Sequence, residues 1–381
     1  MTDTDIAVVG AGIAGASVAA HLSALGEHDI TVYERGSLAG ETTAKSAAYF
    51  GFYGSELERR LKRYGMATYN EFAADPRAAP AYELVGRMHV ATTTDGADAL
   101  RTRAAETPEV SFFDRDAVTR SLFLPELATD VTQGVHYRPH VGYLTPRELA
   151  MEFVERARER GVEFRTGTAV SALSVEDGAI TGLIVDDDHV TADAVVCAAG
   201  PWNPQLLATA GIDLPVYHTL APILRLDRTD QSAHTLPIIS HHESGVYVRG
   251  DGPDSALVGH YPTDPEHTTF DPAAIDNTVP DSIRAEMDEM LEELLPVLAD
   301  APVAEEWVGI RSGTPDGHPI AGWTDVAGLS VAAFNSSGIQ LSPAVGDVIA
   351  RQLIDGEPTD VHDALSIGRF DGHDAQPFQL D

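Results

Sequence analysis

Lysine is almost missing from this chain: Lys45 and Lys62 are its only two among 381 residues. Basic residues of both kinds total 25 against 59 Asp plus Glu, a formal net charge of −34. That balance argues against nucleic acid and anionic membrane as partners, because neither a phosphate backbone nor lipid headgroups attract such a surface. The acids are spread along the chain and form no single tail. A uniformly acidic surface is one that concentrated salt solvates and screens, so the reading is a halophilic protein. Cysteine is equally scarce. Cys197 stands alone, which excludes an internal disulfide framework, a cysteine metal cluster and an iron–sulfur relay. The fifteen histidines show no metal-ligand spacing, and the neighbours His241 and His242 point to opposite faces of a strand, so no metal is expected. No apolar run reaches membrane-spanning length. The nearest, "IAVVGAGIAGASVAA" at residues 6–20, is glycine-rich and follows Asp3 and Asp5 where a secretory leader carries positive charge. A soluble, cytoplasmic protein without a membrane span is expected.

What is present is an ordinary folded composition, 43% apolar and 7% aromatic, in a chain long enough for about two domains. The opening reads strand (6–9), glycine turn, helix (13–25), strand (30–34), a βαβ unit. Residues 57–73 have helical spacing, "YELVGRMHVATTTDG" reads as a strand approaching a turn, and residues 146–160 form a strong amphipathic helix. Turn residues at 176–178 and 186–188 then separate three short β-runs, an antiparallel meander that returns to the buried strand "AVVCAAG". Residues 215–311 are mostly strands plus one acidic helix near 282–295. A strand, "GLSVAAF", a glycine turn and a helix over 343–353 follow, with Ser342 as N-cap and Pro343 at the first helical position; the polar tail beyond Glu357 wraps the surface.

Gly10, Gly12 and Gly15 have the G-x-G-x-x-G spacing, after a strand and before a helix. The first permits a tight turn, the second lets backbone approach a pyrophosphate, the third lets helix and strand pack closely, and the helix N-terminus offers free N–H groups. Glu34 ends the second strand 24 residues after Gly10, where a carboxylate accepts from ribose hydroxyls. These features specify a dinucleotide site without choosing between NAD and FAD. The choice comes from "TTAKSAAYF", "AVVCAAGPW", "WVGIRSGTPDGHPIAG" and "SGIQLSPAVG", which follow the fingerprint in order over the whole chain. With them the sequence resembles the family of FAD-dependent amine and D-amino-acid oxidoreductases that includes D-amino-acid dehydrogenases, glycine oxidase and sarcosine oxidase.

The resemblance implies an α/β fold with a discontinuous Rossmann-like FAD domain (1–80, 136–216, 312–381) and a smaller, mainly antiparallel substrate domain (81–135, 217–311). It implies non-covalent FAD held by Gly10, Ala11, Gly12, Ile13, Ala14, Gly15, Glu34 and Arg35, with Thr42, Thr43 and Lys45 near the phosphates. Ser46, Ala47 and Ala48 would run along the flavin, Val170, Ala199, Gly200 and Trp202 would line the adenine and ribose side, and Gly338, Ile339, Gln340 and Leu341 would aim free N–H groups at the flavin N1 end, where reduction places negative charge. Cys197, inside a buried strand, is a small hydrophobe.

In the same family the arginine at position 311 holds a substrate carboxylate, a task that suits its planar two-pronged donor; a structural salt bridge is the competing explanation in so acidic a chain. Tyr53 and Tyr247 fall where relatives wall the substrate. A second carboxylate-binding arginine of some relatives has no counterpart near 220–222. His318 serves position, not chemistry. The implied reaction is oxidation of the C–N bond of a D-amino acid or N-substituted glycine by hydride transfer to flavin N5, with oxygen or a carrier as final electron acceptor. A 2-hydroxy acid or glycerol phosphate dehydrogenase, and an FAD subunit of a larger dehydrogenase complex, are the alternatives. Because Cys197 lies where relatives make no covalent flavin link, acid precipitation of the FAD-loaded protein is expected to leave all flavin in the supernatant; flavin absorbance retained in the washed pellet contradicts this.

Overall fold

The structure, a computed structural model, describes residues 4–76, 78, 82–107, 109–121, 127–228, 236–261 and 271–371. Five strands form a parallel core in the order Leu329–Ala333, Ala194–Cys197, Asp5–Val9, Asp29–Glu34 and Glu163–Thr166, with Ile320–Trp323 antiparallel at the edge. The sequence strands in the middle of this sheet are near-continuous runs of Val, Ile, Ala and Cys, as strands covered on both faces require. Helices Ile13–Leu25, Pro146–Arg158 and Gly338–Asp355 pack together over one face, and the meander Val170–Glu176, Ala179–Val185 and Asp188–Thr191 lies over the other. Its two tight turns hold Asp177 and Gly178, and Asp186 and Asp187, at positive φ, the geometry that joins twisted antiparallel strands.

A mixed eight-stranded sheet is built mainly from the later chain, in the order Val303–Gly313, Tyr217–Asp227, Ser255–His260, Val246–Gly250, Ile238–His241, Arg87–Ala91, Gly134–Arg138 and Ser111–Asp114. Strand Gly134–Arg138 crosses the boundary expected at 136 and stays in this sheet to its end. Val246 and Val248 pack against Met287, Met290 and Leu294 of helix Asp281–Leu294, so alternation turns Tyr247 to the opposite face. A separate small antiparallel sheet has Val141–Leu144 in the middle, flanked by Tyr49–Gly51 and Tyr82–Leu84. Among the described residues no helix is long and apolar enough to cross a membrane.

Three local expectations change. The strand read across "YELVGRMHVATTTDG" is two strands, because Gly86 adopts φ +76° between them, and a helix, Thr94–Glu106, follows with the Thr93 hydroxyl accepting from the Gly96 N–H. The tail is more than a surface wrap: Val361 and Leu365 are buried in the main core, and Arg369 grips Asp316; residues 372–381 lie outside the described residues. The third concerns the last long helix. It begins at Gly338 with Ser337 as N-cap, so Pro343 lies inside it and Ser342 is a buried interior residue whose Oγ donates to the Gly338 carbonyl.

Proline in a helix interior has no N–H for the carbonyl four residues back. That carbonyl is Ile339 O, and the buried Tyr69 hydroxyl donates to it. The helix therefore survives its proline through a partner 270 positions away in sequence. Tyr69→Phe should leave a buried carbonyl unsatisfied and cost about 1–3 kcal/mol, read as a lower denaturant midpoint with an unchanged m-value; an unshifted midpoint contradicts this role.

Candidate active site

Backbone packs tightly against two glycines of the turn. Gly10 has φ +101°, and a Cβ there would lie 2.5 Å from the Ala198 carbonyl; a Cβ on Gly15 would lie 1.9 Å from the Gly10 carbonyl. Both positions therefore need glycine for the first strand, its neighbour Ala194–Cys197 and the first helix to meet. Gly12 and Ala14 border the cavity that opens here, while Ala11 is fully buried and Gly15 lies behind the turn. Helix geometry leaves the first four N–H groups without intrahelical partners. Ile13 N–H donates to Thr43 Oγ1 at 3.0 Å, which ties the 42–48 segment to the helix start.

The cavity has a volume of about 430 Å³. In its first part Glu34 accepts from the N–H groups of Ala11 (2.8 Å) and Gly36 (2.7 Å), so two amides hold its carboxylate in place. Arg35 stacks on Trp202 with its guanidinium carbon 3.6 Å from the ring centroid, and Trp202 Nε1 is buried without a partner. Val170, Ala199 and Gly200 line the same part. An acidic acceptor, an open helix N-terminus, a glycine cradle and a stacked guanidinium are the donor and acceptor set that a dinucleotide with ribose hydroxyls and phosphates fits. Thr42, Ser46, Ala47 and Ala48 continue along the wall, with Ala48 at φ +51°.

Lys45 lines this wall but its amine is engaged elsewhere. Nζ donates to Asn277 Oδ1 at 2.8 Å and lies 3.8 Å from Glu41 Oε2, while its carbonyl accepts from Trp307 Nε1. In a chain with so many acids a flexible lysine finds a carboxylate, and Lys45 joins the segment to strand Val303–Gly313. The helix start differs from expectation too. Gly338 and Ile339 border the cavity, whereas Leu341 N–H donates to the Ser337 carbonyl and is not free. Gln340 is buried behind, with Oε1 accepting from Gly51 N–H at 3.2 Å. The shift follows from the earlier start of the helix, and it brings Ser336 and Ser337, at φ +51° and +41°, to the cavity edge.

The second part of the cavity is aromatic. Arg311 is 9% exposed, lies over Tyr261 at 4.1 Å, and has a buried Nη1 without a partner. Among the described residues it meets no carboxylate, so the salt-bridge explanation finds no support there. Tyr261 packs on Tyr247 with centroids 4.7 Å apart, and Tyr247 meets Tyr49 edge-on at 5.2 Å. Burial, reinforced by its tyrosine neighbours, pushes the Tyr247 and Tyr49 phenols far up, so both stay protonated. Tyr53 also lines the cavity, held by Lys62, whose buried amine donates to the Tyr53 carbonyl at 2.9 Å and sits 4.4 Å over its ring. Sequence reasoning brought together Arg311, Tyr247 and Tyr53 but missed Tyr49, Tyr261 and Lys62. Tyr49 lies within "TTAKSAAYF" and Lys62 within the helical segment 57–73; Tyr261, followed by proline in "HYP", carried no signal.

His318 is not a cavity residue. Its Nε2 shares a 2.9 Å hydrogen bond with Ser55 Oγ and its N–H donates to Asp316, a turn arrangement that agrees with a positional role. Cys197 is fully buried and its thiol is pushed far up by burial, which keeps it unreactive.

The chain is similar to 4-methylaminobutanoate oxidase (formaldehyde-forming) of Paenarthrobacter nicotinovorans, 28% identical over 96% of this chain and 45% of that protein. It is 33% identical to the D-amino acid dehydrogenase of Methylobacterium nodulans over 55% of this chain and 48% of that one, so these matches span about half the length of either relative. Among solved structures, glycine oxidase from Bacillus cereus superposes with a TM-score of 0.78 at 24% identity over 94% of this chain and 98% of its own. Iminodiacetate oxidase from Chelativorans sp. gives 0.77 at 25% identity, over 95% and 98%. These structures share the mixed α/β fold described above. The family model described as "FAD dependent oxidoreductase" matches residues 5–352, and the chain belongs to that family, the DAO family, as an oxidoreductase whose cofactor is FAD.

Proposed function

We propose that the protein oxidises the carbon–nitrogen bond of a D-amino acid or N-substituted glycine to an imine, which water then hydrolyses. The observation that carries this reading is Arg311, a guanidinium buried on the cavity wall with an unpartnered Nη1 and no carboxylate beside it among the described residues. Burying an unpaired charge costs several kcal/mol, and a substrate carboxylate offsets that cost with two parallel charge-assisted bonds. The relatives support the class: D-amino acid dehydrogenase, glycine oxidase, iminodiacetate oxidase and 4-methylaminobutanoate oxidase are each named for a compound that holds both nitrogen and a carboxylate.

Bound FAD would supply the acceptor for the hydride, which carries both electrons of the oxidation. The protein supplies position. Arg311 fixes the carboxylate, and Tyr261 beneath it and Tyr247 beside it form a rigid wall that excludes water from the reacting carbon. Because these phenols remain neutral, they set no negative charge against the carboxylate. Among the described cavity-lining residues the carboxylates are Glu34 and Glu41, both in the part that holds Arg35, and none is a histidine. Among the described residues the aromatic part therefore holds no dedicated base, consistent with an amine that binds neutral or gives its proton to water. The start of helix Gly338–Asp355 borders the cavity with its positive end, where developing negative charge is stabilised.

Arg311→Met should raise KM for carboxylate substrates by about two orders of magnitude or more, from the loss of about 3 kcal/mol of charge-assisted bonding. Steady-state kinetics with saturating FAD measures this, and near-normal constants would remove Arg311 from the reaction.

A further inference from the structure

Arg87 and Arg138 face each other directly across adjacent antiparallel strands, with His89 and His136 paired in the next position on the same face. Like charges placed opposite one another destabilise a sheet. In most of this chain acids surround such cations, since acids outnumber bases 59 to 25. Here, among the described residues, neither arginine has a carboxylate partner. Arg87 donates from Nε and Nη2 to Ser240 Oγ, at 3.2 and 3.0 Å, and Arg138 Nε is buried without a partner. His136 is fully buried with both ring nitrogens unpartnered, and its ring meets His89 edge-on at 5.5 Å. Burial first, then Arg138 and Arg103, holds His136 down to about 4.

This cluster touches the back of the aromatic wall. The Arg87 guanidinium lies 5.4 Å from the ring of Tyr49 and that of Arg138 lies 5.3 Å from the ring of Tyr53, both cavity residues. Ser240, which holds Arg87, is the cross-strand neighbour of Tyr247. A ladder of rings, Tyr261, Tyr247 and Tyr49, thus carries Arg311 at one end and Arg87 at the other.

We infer that the substrate is a dicarboxylic amine, one carboxylate held by Arg311 and the second reaching between Tyr49 and Tyr53 to the facing pair Arg87 and Arg138. This rests on the amine-oxidation reading and narrows its substrate class. The second carboxylate can belong to the side chain of an acidic D-amino acid or to an N-carboxyalkyl substituent; both present the same anion to the same pair.

The test uses the full-length, FAD-loaded protein. Anaerobic flavin reduction is compared for D-glutamate against D-glutamine, and for iminodiacetate against sarcosine, pairs that differ chiefly in the second charge. Flavin absorbance changes are titrated in parallel with the unreactive acids glutarate and butyrate. The expected result is a kcat/KM about a hundredfold higher for the dicarboxylate of at least one pair, and glutarate binding at least about tenfold tighter than butyrate. The pair that shows the preference tells a side-chain carboxylate from an N-substituent. Arg87→Gln and, separately, Arg138→Gln should bring both ratios toward one, while Arg87→Lys keeps part of the preference; flavin content of each variant reports folding. Equal rates within both pairs, with glutarate no tighter than butyrate, overturn the inference and leave amine oxidation standing. Flavin that no amine reduces, with glutarate still preferred, sinks the amine reading and keeps the second anion site.

Discussion

Arg311 is held in an aromatic wall without, among the described residues, the carboxylate that a buried guanidinium ordinarily requires, and much of the surrounding architecture follows from keeping it there. Strand Val303–Gly313 is paired along its length with Tyr217–Asp227, so the backbone cannot move away to solvate the charge. Tyr261 lies against the guanidinium face, where a cation is attracted by the ring quadrupole yet remains open to an anion at its edge. The arrangement leaves a demand for a carboxylate that no described residue meets and that the proposed substrate would satisfy.

The acid-rich composition makes this selective. With so many Asp and Glu residues, most cations are neutralised on the surface: Arg59, Arg158 and Arg351 pair with acids one turn away, Arg165 with Glu163, and Arg225 with Glu305. Such exposed pairs contribute little to stability. The few cations kept from acids are informative because the chain had ample means to neutralise them. Even Lys45, adjacent to the cofactor cavity, is drawn to Asn277 and Glu41.

Three distant segments converge through backbone contacts more than through side-chain chemistry. The glycine turn fits against the Ala198 carbonyl, Thr43 meets the first N–H of the first helix, and Gln340 accepts from Gly51. Ser17 Oγ donates to the Ser342 carbonyl where the first and last long helices cross. Each is a buried polar group whose partner lies far away in sequence, so together they lock the cavity wall more firmly than apolar packing, which tolerates sliding.

Much of this was legible in the chain itself. The βαβ opening, the glycine spacing, Glu34 and the meander with its two turns follow from local sterics, periodicity and residue chemistry, which act over a few neighbouring positions, whereas the arginine in "GIRSG" was singled out through the family resemblance. Periodicity could not show where the last helix begins, because a proline that looks like a helix start is tolerated when Tyr69 supplies a hydroxyl to the carbonyl it strands. Nor could it show that Tyr261 stands beneath Arg311, or that Arg87 faces Arg138. Alternation determines only which residues share a face of a strand; which residue stands opposite is decided by register between strands far apart in sequence, and that register exists only once the tertiary fold has formed.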